Sequence, residues 1–343
     1  MVPGCRCLLW RGPVPEPRKS GVVAGEPWRL ASSIWLVVLA LALLASACVS
    51  ARAPVGSASS AGTPRERAFP VSVRAANGDV RIATMPHRIV SLSPTATEML
   101  FAIDAGNQVV AVDDDSNYPP QAPMTRLSGY QPNVEAIARY APDLVVISND
   151  AGLVKALGTV GIPVLLEPAA KALNDTYTQI EQLGVATGHV AEAAHLVASM
   201  KSRVRQLLSS APTFGHPLTY YHELDQTYYT VTSNTFIGQI YGLLGLRNIA
   251  DAAKGAGSGY PQLSAEFIIK ADPDVIFLAD AKCCGQSRAT VARRPGWAQI
   301  RAVQTGAVVP LDDDIASRWG PRIVSLLQVV VQALSDLHDR VNT

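Results

Sequence analysis

Apolar residues at Val190, Ala194, Val197, Met200, Val204, Leu207 and Leu208 recur every three or four positions, with Glu192, Lys201, Arg203 and Arg205 between them. That period predicts an amphipathic helix over 189–211, about 35 Å long. Gly188 and Pro212 mark its two ends. The apolar runs to either side are shorter and unbroken. Before the helix they fall at Arg88–Leu92, Val109–Val112, Leu144–Ile147 and Ile162–Leu166; after it, at Leu218–Tyr221, Tyr228–Val231, Val275–Leu278 and Ala307–Leu311. Such runs, alternating with helical stretches, are the pattern of strands buried in a parallel sheet. After the first run, Ser93 supplies an N-cap and Pro94 a first helical residue, so strand turns directly into helix. A closing helix from Pro321 carries a core stripe of Ile323, Leu327, Val330, Leu334, Leu337 and Val341.

The segments flanking the long helix match one another. Glu135 runs through a short helical stretch to Pro142-Asp143 and an apolar strand, and Glu266 does the same to Pro273-Asp274; the Glu-to-Pro spacing is seven in both, 135 to 142 and 266 to 273. Gly129-Tyr130 precedes the first glutamate and Gly259-Tyr260 the second, while Asp113–Asp115 and Asp312–Asp314 each end an apolar run. The expectation is an α/β protein of two lobes, 86–188 and 212–343, related in construction and joined by the single helix 189–211, with a ligand cleft between them.

The front of the chain is different in kind. Residues 34–47 form an apolar run ending in small residues directly before Cys48. Residues 1–47 therefore read as a signal peptide, with an N-terminal extension that points to a start codon upstream of the true one. Residues 48–85 read as a tether, its first part rich in Ala, Ser, Gly and Pro. The alternative is an uncleaved membrane anchor stretched over 31–51. Of five cysteines, Cys5 and Cys7 precede the apolar run, and Cys283 and Cys284 are adjacent, open to a vicinal disulfide, to staying reduced or, on weak grounds, to metal.

Arg88-Ile-Val-Ser-Leu-Ser-Pro-Thr-Ala-Thr-Glu-Met-Leu, Asn117-Tyr-Pro-Pro-Gln-Ala, the two Glu-to-Pro-Asp segments and Ser317-Arg-Trp-Gly-Pro-Arg322 together resemble the substrate-binding proteins of vitamin B12 and ferric-siderophore ABC importers. The likeness extends from about Pro86 to the C-terminus; Trp319 stands where Pro is expected. It implies two Rossmann-like lobes on one rigid backbone helix and delivery of ligand to a permease dimer in the cytoplasmic membrane; separately, the apolar run and small residues directly before Cys48 resemble a bacterial lipoprotein signal, which implies a lipid on that cysteine. It also implies ligand contact by aromatics at Tyr130 and Tyr260 and permease docking by Glu135 and Glu266.

Charge is nearly balanced, at +1 over 343 residues, so no nucleic-acid footprint is present. No Gly-x-Ser-x-Gly elbow or phosphate-binding Gly-x-x-x-x-Gly-Lys-Ser/Thr occurs, and His222-Glu223 lacks the second histidine of a zinc helix. The chain therefore reads as a monomeric binding protein, not an enzyme, with no intrinsic cofactor. Tyr118, Asp115, Asp314 and Arg318 are further ligand-contact candidates, Arg318 alternatively pairing with Asp314. The aspartates could accept from ligand amides, bind calcium or merely cap turns. His222 is the histidine to test as an axial metal ligand, His189, His195 and His338 being expected at the surface. A corrinoid is the favoured ligand and a ferric siderophore or haem the alternative, an acidic cleft edge arguing against anionic catecholates. An envelope metal-handling protein or an enzyme acting without a permease is the competing class.

Overall fold

The computed structural model describes Arg65 and residues 68–342. The expected signal peptide, Cys48 and half of the expected tether lie outside the described residues. Three sheets organise the rest. A hairpin of β1 (Val71–Ala75) and β2 (Gly78–Ile82) comes first. The first lobe holds β3 (Ile89–Leu92), β4 (Val109–Asp113), β5 (Met124–Leu127), β6 (Leu144–Ile147) and β7 (Val164–Leu166), all parallel, in the order β5-β4-β3-β6-β7. The second holds β8 (Thr219–Glu223), β9 (Arg247–Asn248), β10 (Val275–Leu278) and β11 (Val308–Pro310), parallel in the order β11-β10-β8-β9.

Read from the other edge, the second sheet is β9-β8-β10-β11, which matches β4-β3-β6-β7 strand for strand. The repeated Pro-Asp pairs have the same structural task in both lobes. Asp143, just before β6, accepts from the backbone N–H groups of His87 (2.8 Å) and Arg88 (2.9 Å) ahead of β3; Asp274, before β10, accepts from the backbone N–H and the hydroxyl of Thr219 at the start of β8, both at 2.8 Å. Each carboxylate adds to the backbone bond its own N–H makes across the same pair, Asp143 to the Arg88 carbonyl and Asp274 to the Thr219 carbonyl, both at 3.0 Å, and so fixes the register of a central parallel pair at its start. The matching Asp triplets are corrected by the topology. Asp113 ends β4 with Asp114 and Asp115 just after it, but Asp312–Asp314 follow β11, the counterpart of β7, so the two triplets are not equivalent positions.

Between the lobes runs the helix Val190–Ser210, burying Ala193, Val197, Met200, Val204 and Leu207. The inward stripe takes Ala193 where the pattern suggested Ala194. Gly184 makes the packing possible, because a Cβ there would stand 2.5 Å from the Ala193 Cβ, so the preceding helix Leu173–Thr187 can lie against the bridge only with glycine at that point. His189, expected at the surface, is buried at the start of the bridge, and burial lowers its pKa.

Two further expectations are revised. The tether does not reach 85: Val73, Ala75 and Ile82 of the hairpin are buried, and the hairpin packs on the helix Leu173–Thr187. The alternating Val-x-Val-x-Ala pattern was the signal for it. Tyr228–Val231 is not a strand. Tyr228 has φ of 70°, and the segment makes an isolated antiparallel bridge, Tyr229 to Gln262, in place of a ladder.

Candidate functional site

The carboxyl ends of parallel strands open into loops, and there each lobe presents a Ser-Gly-Tyr segment in which the serine hydroxyl accepts from the tyrosine N–H. In Ser128-Gly129-Tyr130 the Ser128 hydroxyl accepts from the Tyr130 N–H at 3.3 Å; in Ser258-Gly259-Tyr260 the Ser258 hydroxyl accepts from the Tyr260 N–H at 3.2 Å. Both glycines are required. A Cβ on Gly129 would lie 2.4 Å from Asp113 Oδ2 and 2.7 Å from the Leu92 carbonyl oxygen, and Gly259 has φ of +82°. The result is an exposed ring on each lobe, Tyr130 at 64% and Tyr260 at 38%. Burial of the rest of Tyr260 raises its pKa.

A third and a fourth ring complete the set. Tyr118 is 42% exposed and lies beneath the Arg322 guanidinium, 4.1 Å from its carbon to the ring centre. Tyr229 was not singled out from the sequence, yet it is 36% exposed and its loop is tied to that of Tyr260: Thr230 N–H donates to the Pro261 carbonyl at 3.0 Å and Thr232 N–H to that of Gly259 at 2.9 Å. Its neighbour Tyr228 turns the other way and stacks on Trp297 at 5.7 Å. The adjacent pair Tyr228-Tyr229, one ring in and one out, was the available clue.

The polar candidates form one cluster that crosses between the lobes. Arg318 is buried. It donates to Asp314 Oδ1 (3.0 Å), Asn117 Oδ1 (2.9 Å), the Asp115 carbonyl oxygen (3.0 Å) and Glu98 Oε1 (2.8 Å). Of its two expected roles, the structure displays the pairing with Asp314. Asp314 also accepts from Asn117 Nδ2 at 3.0 Å and from Lys282 Nζ at 2.7 Å. Burial works against its ionisation, but Lys282 and Arg318 together hold its pKa below the ordinary value. Asp115 is exposed and enters through its backbone carbonyl. The rim near Asp314 is thus charge-compensated, which weakens the argument from an acidic edge against anionic ligands.

Buried carboxyls lie behind these loops. Burial pushes Asp113 up to about 6, and Glu167, after β7, up to about 8. Asp280, after β10, is raised to about 8 by burial and by the neighbouring Glu223, which Arg294 holds with two bonds of 2.6 Å. His222 is corrected as a metal-ligand candidate. It is fully buried in β8, its Nδ1 stands 2.8 Å from the Tyr241 hydroxyl, and burial lowers its pKa to about 3. The Cys283 and Cys284 sulfurs stand 2.8 Å apart. Among the described residues no group of three or more His, Cys, Asp or Glu could hold a metal ion.

Glu135 and Glu266 occupy equivalent places. Each is exposed and second in a short helix, Val134–Ala138 and Ala265–Ala271, capped by Asn133 (accepting from Ala136 N–H at 2.7 Å) and Ser264 (accepting from Phe267 N–H at 3.2 Å). Bonds from its own backbone N–H and from Ser264 hold the Glu266 carboxyl below its usual range. Neither glutamate enters an ion pair among the described residues. A separate cavity of about 420 Å³, lined by Phe214, Leu218, Asp274, Arg301, Leu337 and Val341, opens at the amino ends of the second sheet, the edge opposite the tyrosines.

Residues 89–315 match the family model described as periplasmic binding protein. The chain belongs to the periplasmic binding protein family. Among its relatives, an ABC transporter substrate-binding lipoprotein of Bacillus subtilis, itself uncharacterised, is 30% identical over 88% of this chain and 96% of its own. A cobalamin-binding protein of Halobacterium salinarum is 34% identical over 84% and 80%. The crystal structure of the periplasmic vitamin B12 binding protein of Vibrio cholerae superposes with a TM-score of 0.61 at 25% identity, covering 74% of this chain and 98% of that one. The chain shares the fold of the Vibrio cholerae protein and has two parallel-sheet lobes and a connecting helix.

Proposed function

We propose that this protein captures a corrinoid outside the cytoplasmic membrane, anchored there by lipid on Cys48, and passes it as a monomer to a dimeric ABC permease. The observation that carries the reading is the pair of Ser-Gly-Tyr turns, which offer one exposed ring from each lobe. Flat rings on both sides suit a broad, partly apolar ligand, and Tyr118 and Tyr229 widen each platform. The likeness to cobalamin-binding relatives supports the choice of ligand. Glu135 and Glu266 serve as the permease contacts.

Absorbance and mass spectra of whatever copurifies identify the ligand directly. Titration with cobalamin, a ferric hydroxamate and haem then ranks the classes, with Tyr130→Ala and Tyr260→Ala each expected to weaken cobalamin binding by about 1–3 kcal/mol. Tight binding of haem or the siderophore with none of cobalamin replaces the corrinoid reading; unchanged affinity in both variants removes the tyrosines from the site. Cys48→Ala should release the protein from membranes.

A further inference from the structure

The first-lobe helix Pro94–Ala102 buries Thr95, Ala96, Thr97, Met99 and Leu100, and it buries Glu98 among them. A carboxylate so enclosed requires opposite charge in contact. That charge arrives from the other lobe: Glu98 Oε1 accepts from Arg318 Nη1 at 2.8 Å and Arg322 Nη2 at 2.5 Å, and Oε2 from Arg322 Nε at 2.9 Å. Each arginine has a second task at the cleft edge. Arg322 covers the Tyr118 ring, and Arg318 holds Asp314, Asn117 and the Asp115 carbonyl.

The chain between the arginines is fitted to the same surface. A Cβ on Gly320 would come within 3.3 Å of Glu98 Oε2, the Trp319 carbonyl accepts from the Thr176 hydroxyl at 2.8 Å, and Trp319 Nε1 donates to Gln179 Oε1 at 2.9 Å. With Lys282 on Asp314, the cluster of Glu98, Asp314, Arg318, Arg322 and Lys282 already carries one net positive charge, so neutralising Glu98 adds to that excess under the clasp and weakens the one acceptor the two guanidinium groups share. The carboxylate is the common point through which two cleft-wall side chains are held.

We propose that Glu98 is a positioning residue of the ligand site, holding Arg318 and Arg322 of the second lobe so that Tyr118 and Asp314 are pre-set at the cleft edge and the lobes keep one separation. It does not touch ligand. The proposal rests on the reading of this cleft as the ligand site.

Glu98→Gln keeps the size and removes the charge. In the ligand-free protein, hydrogen–deuterium exchange should quicken over 114–119 and 312–322 while β3, β6, β8 and β10 stay protected. Cobalamin should dissociate about tenfold faster or more. Arg322→Lys keeps a charge for Glu98 but loses the two-pronged bond and the flat cover over Tyr118, so it should give the same local pattern without leaving a buried charge unpaired. Glu98→Gln combined with Arg322→Met should weaken binding no further than Glu98→Gln alone. Unchanged exchange and dissociation in both single variants overturn the proposal, as does exchange quickening throughout both sheets, which marks a folding role only. If the parent fails to bind cobalamin the ligand assignment falls, whereas the exchange of the ligand-free protein still decides the clasp.

Discussion

Gly129 is the residue on which the first aromatic platform depends. Because a Cβ there would meet both a buried carboxylate and a backbone carbonyl, Gly129→Ala must displace the turn that carries Tyr130. Cobalamin affinity should fall by at least the amount lost in Tyr130→Ala, measured by titration, while Gly257→Ala, which has open space at its Cβ, should bind as the parent does. The buried acids give a second residue-scale expectation. Asp280 is raised from 3.8 to about 8, so the folded state keeps a proton that the unfolded chain has released between those values. Its contribution to stability is complete below pH 3.8 and is lost as pH rises through about 8. Urea unfolding of Asp280→Asn against the parent should show the variant gaining relative stability with each rise in pH across that window; parallel curves would remove Asp280 as the source. The sequence disclosed the exposed tyrosines of the repeated turns because repetition marks a position without any knowledge of contacts. It did not disclose Glu98, since a glutamate inside a helical stretch looks like solvated surface until the partner 220 residues away is known.

At the level of elements, the long helix and the central strands were legible because burial on both faces of a parallel sheet leaves an unbroken apolar run, and packing on one face leaves a helical period. The edge strands were not. β5 has exposed Met124 and Arg126, and β9 spans two residues, so neither leaves a pattern distinguishable from a loop. Tyr228–Val231 failed for the opposite reason: its apolar content serves stacking on Trp297 and the tie to the Tyr260 loop, with no neighbouring strand to pair with. The bridge makes its own prediction. Gly184→Val drives side-chain atoms into Ala193, which must separate the helix Leu173–Thr187 from the bridge, at a cost of about 1–3 kcal/mol for overpacking. Chemical denaturation reads that cost directly; Gly184→Ala should show a smaller loss through the same contact, and adding Ala193→Gly to Gly184→Ala should recover part of that smaller loss by removing the Cβ it meets. An undiminished unfolding midpoint for Gly184→Val would show that the contact between these helices is looser than the atoms indicate.

For the whole molecule, two glutamates at equivalent points of two related lobes have to be explained as a pair. A carboxylate in the first turn of a helix offsets the macrodipole, worth a few tenths of a kcal/mol at an exposed site, and that explains either one by itself. It does not explain a match that extends through the cap, the position in the helix and the distance to the Pro-Asp that registers the next strand. Two identical permease subunits related by a two-fold axis would meet a protein of two like lobes with the same basic patch twice, and a matched pair of exposed, unpaired carboxylates answers that symmetry. Charges at such a rim govern encounter and orientation more than the strength of the final complex, and salt weakens them. Glu135→Arg with Glu266→Arg should therefore abolish ligand uptake by cells while the purified protein binds ligand as before, because both side chains lie on helices that precede β6 and β10 and take no part in the tyrosine loops. Each single reversal should leave partial uptake, since one lobe still docks in register, and association with permease in vesicles should fall as salt is raised. Full uptake by the double variant removes docking as the reason for the pair, and loss of ligand affinity in solution assigns the glutamates to the fold instead.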